Sequence, residues 1–362
     1  MDEGKNLRRG WTTGACATAA AKAAYVALVQ GEFPDPVTIR LPGGQMPAFA
    51  LAQTARQGDA ATVGIVKDAG DDPDVTHGAL ILVTLRRLPV GSGLLFRAGP
   101  GVGTITRPGL PLPPGEPAIN PMPRAMIRAA LDEITPGAVD AEVEISIADG
   151  EKLAERTLNG RLGIVGGLSV LGTTGIVIPY SCAAWIDSIH RGVDVARAMG
   201  LRHVAGSTGS ASERAVQALH GLPEVALIEM GDFVGGMLKY LRRHPLPRIT
   251  VAGGVAKMTK LAQGRLDLHS KRGEADLGAL AALVPDAHTA ARVAAANTVA
   301  EAFALAEAAG LPLGDLIAAR AWQVAAQELA GAPSELEICV FDRTGRLVGR
   351  AAHAPSPPRN RR

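Results

Sequence analysis

The chain has 362 residues, of which 47% are apolar and 3% aromatic, and its 37 Lys plus Arg against 35 Asp plus Glu leave a formal charge of +2. That balance excludes a global field for nucleic acid or an anionic membrane, and so few aromatics argue against base stacking. Three widely spaced cysteines, Cys16, Cys182 and Cys339, exclude a disulfide framework and a thiolate zinc site. At roughly 100–200 residues per domain, two domains are expected. The N-terminal stretch lacks the apolar segment of a signal peptide, and no run of about 18 apolar residues occurs. A cytoplasmic location is therefore expected, with neither nucleic acid nor membrane as a partner.

In chain order, Thr12 can cap an Ala-rich helix over Ala15–Val29 that stops at Gly31. Val37–Leu41, Ala60–Val66 and Ile81–Leu85 read as strands. Residues 99–123 are rich in Gly and Pro and read as an extended, ordered loop. Ala125–Ile134 reads as a helix and Ala141–Ile147 as a strand. From Gly163 the rhythm becomes strand, small-residue loop, helix. His203–Ala205, Gly206–Gly209 and Ala211–Leu219 form one such unit. Glu224–Glu229, Met230–Asp232 and Phe233–Arg243 form a second. Arg248–Ala252, Gly253-Gly254 and Val255–Ala262 form a third. Such repeats imply a parallel sheet, which binds ligands at the carboxyl ends of its strands. Helices over 287–310 and 313–330 follow, then a strand, turn and strand over 335–350.

The expected architecture is an α+β N-terminal domain, 1–160, followed by an α/β domain, 161–335, Rossmann-like with a mainly parallel sheet. A β-hairpin at 336–351 is left without a domain, and the Pro-rich tail 352–362 reads as disordered.

Six stretches stand out. Arg8 to Cys16 opens a helix, whose free N–H groups suit an anion, or it is simply capped. Lys67 to Gly78 holds four carboxylates in seven residues, which suit a hard cation, the N–H groups of a ligand, or an Asx turn. Gly99–Gly109, with Ala118–Arg124, allows close backbone approach to a flat ligand or forms a rigid wall. Gly166–Ser181 places two small-residue turns around a short apolar strand. Gly206–Arg214 follows a strand and opens a helix, the context of an anion site, without the spacing of a P-loop. Val251–Ala262 puts Lys257 and Lys260 on one helix face.

The pieces LRRGWTTGACATAAAKAA, VKDAGDDPDVTHG, GPGVGTITRPGL, PAINPMPR, GGLSVLGTTGIV and KLAQGRLDLHS occur in this order over about residues 7–270. Together they closely resemble the CbiD-type cobalt-precorrin-5B C(1)-methyltransferases of cobalamin synthesis. The resemblance implies a two-domain α+β and α/β protein, S-adenosylmethionine as methyl donor and no metal held by the enzyme. It brings no settled catalytic residue. The sequence departs from the usual pattern at Pro179–Trp185, where many relatives carry an acidic residue near position 182. It departs again at Gly253–Lys257, where many read Gly-His-x-Gly-Lys.

A precorrin is a flat apolar ring with an anionic rim. Arg8, Arg9, Thr12, Thr13, Lys67, Arg107, Asn120, Arg124, Lys257, Lys260 and His269 are the candidates for that rim. Asp68, Asp71, Asp72 and His77 are expected near the reacting carbon. Gly172, Thr173, Thr174, Gly206, Ser207, Thr208, Gly209, Glu229, Asp232, Gly253 and Gly254 are the candidates for the donor. The first domain is expected to face the tetrapyrrole and the second the donor. Neighbouring pathway enzymes are the expected source of the substrate. A nicotinamide-dependent reductase needs a GxGxxG turn that is absent, and a non-enzymatic tetrapyrrole carrier needs no donor pocket.

Overall fold

The computed structural model describes residues 7–137, 139–270 and 273–353. The expected disorder at the C-terminus falls, from residue 354 on, outside the described residues. The chain divides into two compact units, Met1–Cys182 and Ala183–Arg362.

In the first unit, α1 (Thr13–Gln30) is built on alanine, the best helix former, and closes with Gly31 in the left-handed region at φ 98°. It is buried on almost every side. Its neighbours are α2 (Pro121–Asp132) and a five-stranded sheet. The sheet comprises β1 (Gln53–Gln57), β2 (Ala60–Val66), β3 (Leu80–Arg87), β4 (Leu94–Ala98) and β5 (Ala141–Ile147), in the order β1-β2-β3-β5-β4. All pairings are antiparallel except β5 with β4. Strand alternation sends Val143, Ile145 and Ile147 inward and Glu142 outward, where Arg86 and Arg97 pair with it.

The Gly/Pro loop after β4 is ordered by short pairings. Gly101–Val102 runs parallel to Gly167–Leu168, and Thr104–Ile105 antiparallel to Ile164–Val165. Gly10–Trp11 pairs with Ile176–Val177. Residues 161–182, where the change of rhythm begins the second domain, therefore pair within the first unit.

The second unit opens on α3 (Cys182–Ala198), a 17-residue helix absent from the sequence reading. Then come β6 (His203–Ser207), α4 (Ser210–His220), β7 (Leu227–Glu229), α5 (Val234–Arg243), β8 (Arg248–Gly254) and α6 (Val255–Ala262). Helices α7 (Ala287–Ala294), α8 (Val299–Ala308) and α9 (Leu313–Glu328) precede β9 (Glu335–Phe341) and β10 (Leu347–His353). The sheet order is β7-β6-β8-β9-β10, parallel except for β10. The hairpin of unassigned membership is thus part of this sheet.

The single helix expected over 287–310 is two. Thr298 Oγ1 accepts from Glu301 N–H, and the Glu301 carboxylate reaches back to Asn297 N–H, so a new helix starts at a capped terminus. Glu224–Ala226 is a 3-10 turn rather than the start of a strand. Gly206, expected in the loop, lies within β6, where it pairs with Ile228 and Val251, and a Cβ there would collide with the Met237 thioether.

One buried polar cluster sits at the start of the parallel strands. Glu337, 2% exposed, accepts from Thr250, Arg248 and Arg350. His220 Nε2 lies 2.8 Å from its Oε2 without hydrogen-bond alignment, and His203 Nε2 meets Thr250 Oγ1 at 2.8 Å. The ligand atoms of His203, His220 and Glu337 fall within 4.8 Å of one another. Two guanidinium groups already neutralise the carboxylate, which makes the cluster a poor cation site.

Burial, then Arg248 and His220, hold His203 down to about 4, against the attraction of Glu337. The fold therefore keeps neutral an imidazole that the unfolded chain protonates below about 6.5. This contribution to stability is complete above that pH and is lost as pH falls from 6.5 towards 4. Thermal unfolding between pH 7 and 4 should show it, with His203→Gln flattening the slope. An unchanged slope would remove His203 as its source.

Candidate functional site

The first-unit candidates gather where Leu7–Trp11 crosses the Lys67–Gly78 loop. A Cβ on Gly10 would collide with the Ala69 backbone, and one on Gly70, at φ 69°, with Arg8 O. Only glycines allow this crossing. Trp11 N–H donates to Asp68 O at 2.7 Å, and Asp71 N–H to Arg8 O at 2.9 Å.

The Arg8 guanidinium grips Asp68 with both arms, Nη2 at 2.9 Å from Oδ1 and Nη1 on Oδ2. This bond and Gly70 N–H hold the Asp68 carboxyl down to about 2. Arg8 N–H donates to Asp71 Oδ2 at 2.6 Å, and Tyr180 N–H to Asp72 Oδ1 at 2.8 Å. Ala69 N–H donates to His77 Nδ1 at 3.1 Å, so that nitrogen carries no proton. The 3.9 Å approach of Nδ1 to Asp68 is accordingly not an ion pair. Lys67 is 1% exposed, and its ammonium lies 2.7 Å from Asp74 Oδ2. Burial acts to raise the Asp74 carboxyl, but the Lys67 charge and the bonds from Lys67 and Thr76 bring it below its ordinary value.

The structure thus brings Arg8, Asp68, Asp71, Asp72 and His77 together and keeps Lys67 beneath them. The Arg9 guanidinium is exposed and has no side-chain partner among the described residues. Thr12 and Thr13 are engaged internally. Thr12 Oγ1 caps Ala15 N–H, while Thr13 Oγ1 donates to Leu171 O and accepts from Leu171 N–H. These bonds set the Gly172, Thr173 and Thr174 turn against the start of α1, in the first unit and apart in the chain from the other donor candidates.

Arg107 donates to Arg161 O, and its stem packs over Gly163. Arg124 donates to Ile119 O and Pro117 O, pairs with Glu116 and covers the Phe96 ring at 5.3 Å. Asn120 starts α2 without capping it. The two arginines brace the Gly/Pro loop. Exposed apolar side chains, Leu7, Leu171, Ile178 and Tyr180, border the crossing segments. Tyr180 is 67% exposed and has φ 56°, an outlier for a bulky residue. Sequence reading passed over it; in a chain 3% aromatic, each exposed ring is a signal.

In the second unit the remaining candidates line the carboxyl ends of β6, β7 and β8. Gly206 and Ser207 end β6, and Thr208 and Gly209 lead to α4, whose first turn has no side-chain cap. The Ser207 hydroxyl is 1% exposed and has no partner among the described residues. Strand alternation puts it on the face of His203 and Ala205, the face that α4 covers through Val216. Gly253 and Gly254 end β8, and α6 also starts without a side-chain cap.

Glu229 ends β7 beside Ser207, exposed, its carboxylate without a partner among the described residues. Asp232 is held by the Lys257 ammonium. Lys257 also reaches Leu268 O at 3.3 Å, and the buried Lys260 reaches it at 3.2 Å. His269 is exposed, its N–H on Asp267. The rim candidates therefore divide between the units. Lys257 and Lys260 brace the segment after α6. Trp185, on α3, also reaches this strand edge and was missed because the helix carrying it was not read.

The family model described as CbiD matches residues 1–179, and the one described as CbiD, C-terminal domain, matches residues 267–352. A protein of Agrobacterium fabrum named cobalt-precorrin-5B C(1)-methyltransferase is 63% identical, covering 98% of this chain and 95% of that one. Relatives of the same name from Bradyrhizobium sp. and Halorhodospira halophila are each 62% identical. They cover 98% and 97% of this chain, and 97% and 96% of their own. A crystal structure of a cobalamin biosynthesis protein (cbiD) from Archaeoglobus fulgidus is 26% identical, covers 74% of this chain and 83% of that one, and has a TM-score of 0.40. By its near full-length identity to these relatives, the chain belongs to the CbiD family.

Proposed function

We propose that the chain methylates C-1 of cobalt-precorrin-5B, giving cobalt-precorrin-6A in corrin ring synthesis, with S-adenosylmethionine as donor. The observation that carries this is 55–63% identity, over nearly the whole chain, to relatives bearing that enzymatic name. Among the described residues no helix is long and apolar enough to cross a membrane. We place the enzyme in the cytoplasm, receiving its substrate from neighbouring pathway enzymes.

The donor supplies an electrophilic methyl on a sulfonium. The ring carbon supplies the electron pair of the new C–C bond, and the C–S pair leaves with a neutral thioether. No general acid is needed for that departure. What the protein must provide is alignment, worth up to roughly 7–11 kcal/mol of barrier. We assign ring binding to the first unit. Arg9 offers a free fork to a rim carboxylate, the exposed apolar side chains offer a surface to the ring, and Asp71 and Asp72 offer negative charge near a conjugated ring that gains positive charge as its electrons form the new bond. His77, with Nδ1 accepting from Ala69, is left to donate through Nε2.

We assign donor binding to the second unit, reading its parallel sheet as Rossmann-like. The residues fit such a ligand. The Ser207 hydroxyl and the uncapped start of α4 suit the donor's carboxylate, and Glu229 suits the ribose hydroxyls. Asp232, tied to Lys257, leaves Glu229 the stronger ribose candidate. Calorimetry with S-adenosylmethionine should show saturable one-to-one heat. Absence of heat would replace the methyltransferase with a tetrapyrrole carrier.

A further inference from the structure

We propose that Trp185 is the platform on which the adenine of the donor stacks, beside the Glu229 carboxylate that holds its ribose. This rests on the reading that the donor binds at this strand edge. Three observations fix the indole. Its N–H donates to Glu229 O at 3.2 Å, so its polar edge is already used. One part of the ring lies over Gly231, where the chain turns at φ 54° and a Cβ would stand 3.3 Å from Cζ2. The Phe233 ring supports it at 6.5 Å and 48°.

Held in this way, the indole is still 44% exposed. What it shows to solvent is a rigid, flat π surface with no hydrogen-bond demand of its own. Such a surface suits a flat heteroaromatic base.

Glu229 supplies the ribose contact. Its carbonyl anchors the indole, and its exposed carboxylate has no partner among the described residues. One residue therefore couples a stacking surface to an acceptor pair for a vicinal diol. Ser207 pairs with Glu229 across the strands, about 4.8 Å further along the edge. Trp185, Glu229 and Ser207 then follow the order of base, ribose and amino-acid tail in the ligand.

The test uses the full chain and S-adenosylhomocysteine, followed by tryptophan fluorescence and calorimetry together. The chain has three tryptophans. Trp11 packs on Phe49, and Trp322 donates to Leu336 O, so the exposed Trp185 reports the site. Saturation should quench the emission of the wild type and leave that of Trp185→Phe unchanged. Adenosine should quench and methionine should not. Trp185→Ala should weaken binding roughly 10- to 100-fold, and Trp185→Phe much less, since a ring remains. Calorimetric binding without quenching, or quenching by methionine and not adenosine, would overturn the platform while leaving the donor reading intact. No binding of S-adenosylhomocysteine to the wild type would overturn the donor reading itself. Should Trp185→Ala not fold, the wild type and Trp185→Phe still decide the matter.

Discussion

Replacing Lys67 with alanine is expected to destabilise the first unit by roughly 3–5 kcal/mol, the usual result of breaking a buried ion pair from one side. Lys67 is the largest fully buried side chain among the described residues, and its ammonium meets Asp74 Oδ2 at 2.7 Å. The other Asp74 oxygen accepts both the N–H and the hydroxyl of Thr76. Lys67 N–H donates to Ala79 O, and Gly78 N–H returns to Lys67 O, closing the loop at its base. Without the ammonium, the Asp74 carboxylate stays half-buried with no counter-charge, and the Lys67 stem leaves a void. Lys67→Met refills the void and should recover only part of the loss. Chemical denaturation checks this, and an unfolding free energy within about 1 kcal/mol of wild type would show that the pair does not hold the loop.

The second large effect concerns turnover. Asp71→Asn and Asp72→Asn should each lower kcat/KM at least about tenfold with the unfolding midpoint preserved. Asparagine keeps an oxygen to accept Arg8 N–H at position 71 and Tyr180 N–H at position 72, so the crossing survives. What it removes is charge. Asp68 is a poorer probe, because its bidentate bond with Arg8 also orders the loop. Steady-state kinetics beside a thermal melt separates the two roles. Full activity in both variants would take this loop out of the reaction.

Much of this layout is legible in the residues. Alanine content and a flanking Thr and Gly mark α1, and β-branched runs mark β2, β3 and β8. The three strand-to-helix loops of the second unit put Ser207, Glu229 and Gly253 on one edge of its sheet. What escapes is non-local. Arg8 and Asp68 are 60 residues apart, and their pairing depends on Gly10 and Gly70 letting two backbones touch. The return of Gly163–Val177 to the first unit rests on two-residue pairings that no periodicity announces. The start of α3 is exposed, and only the later residues Ile189, Val193, Val195 and Ala196 are buried. Trp185 stands on that exposed turn, so its place beside Glu229 becomes visible only once the helix is in position.

Incubation of the purified chain with cobalt-precorrin-5B and isotopically methyl-labelled S-adenosylmethionine, read by mass spectrometry and NMR of the product, decides whether this chain methylates C-1. One labelled methyl per ring is expected, at C-1, with S-adenosylhomocysteine released in equal amount. An unlabelled ring, or label at another carbon, would contradict it.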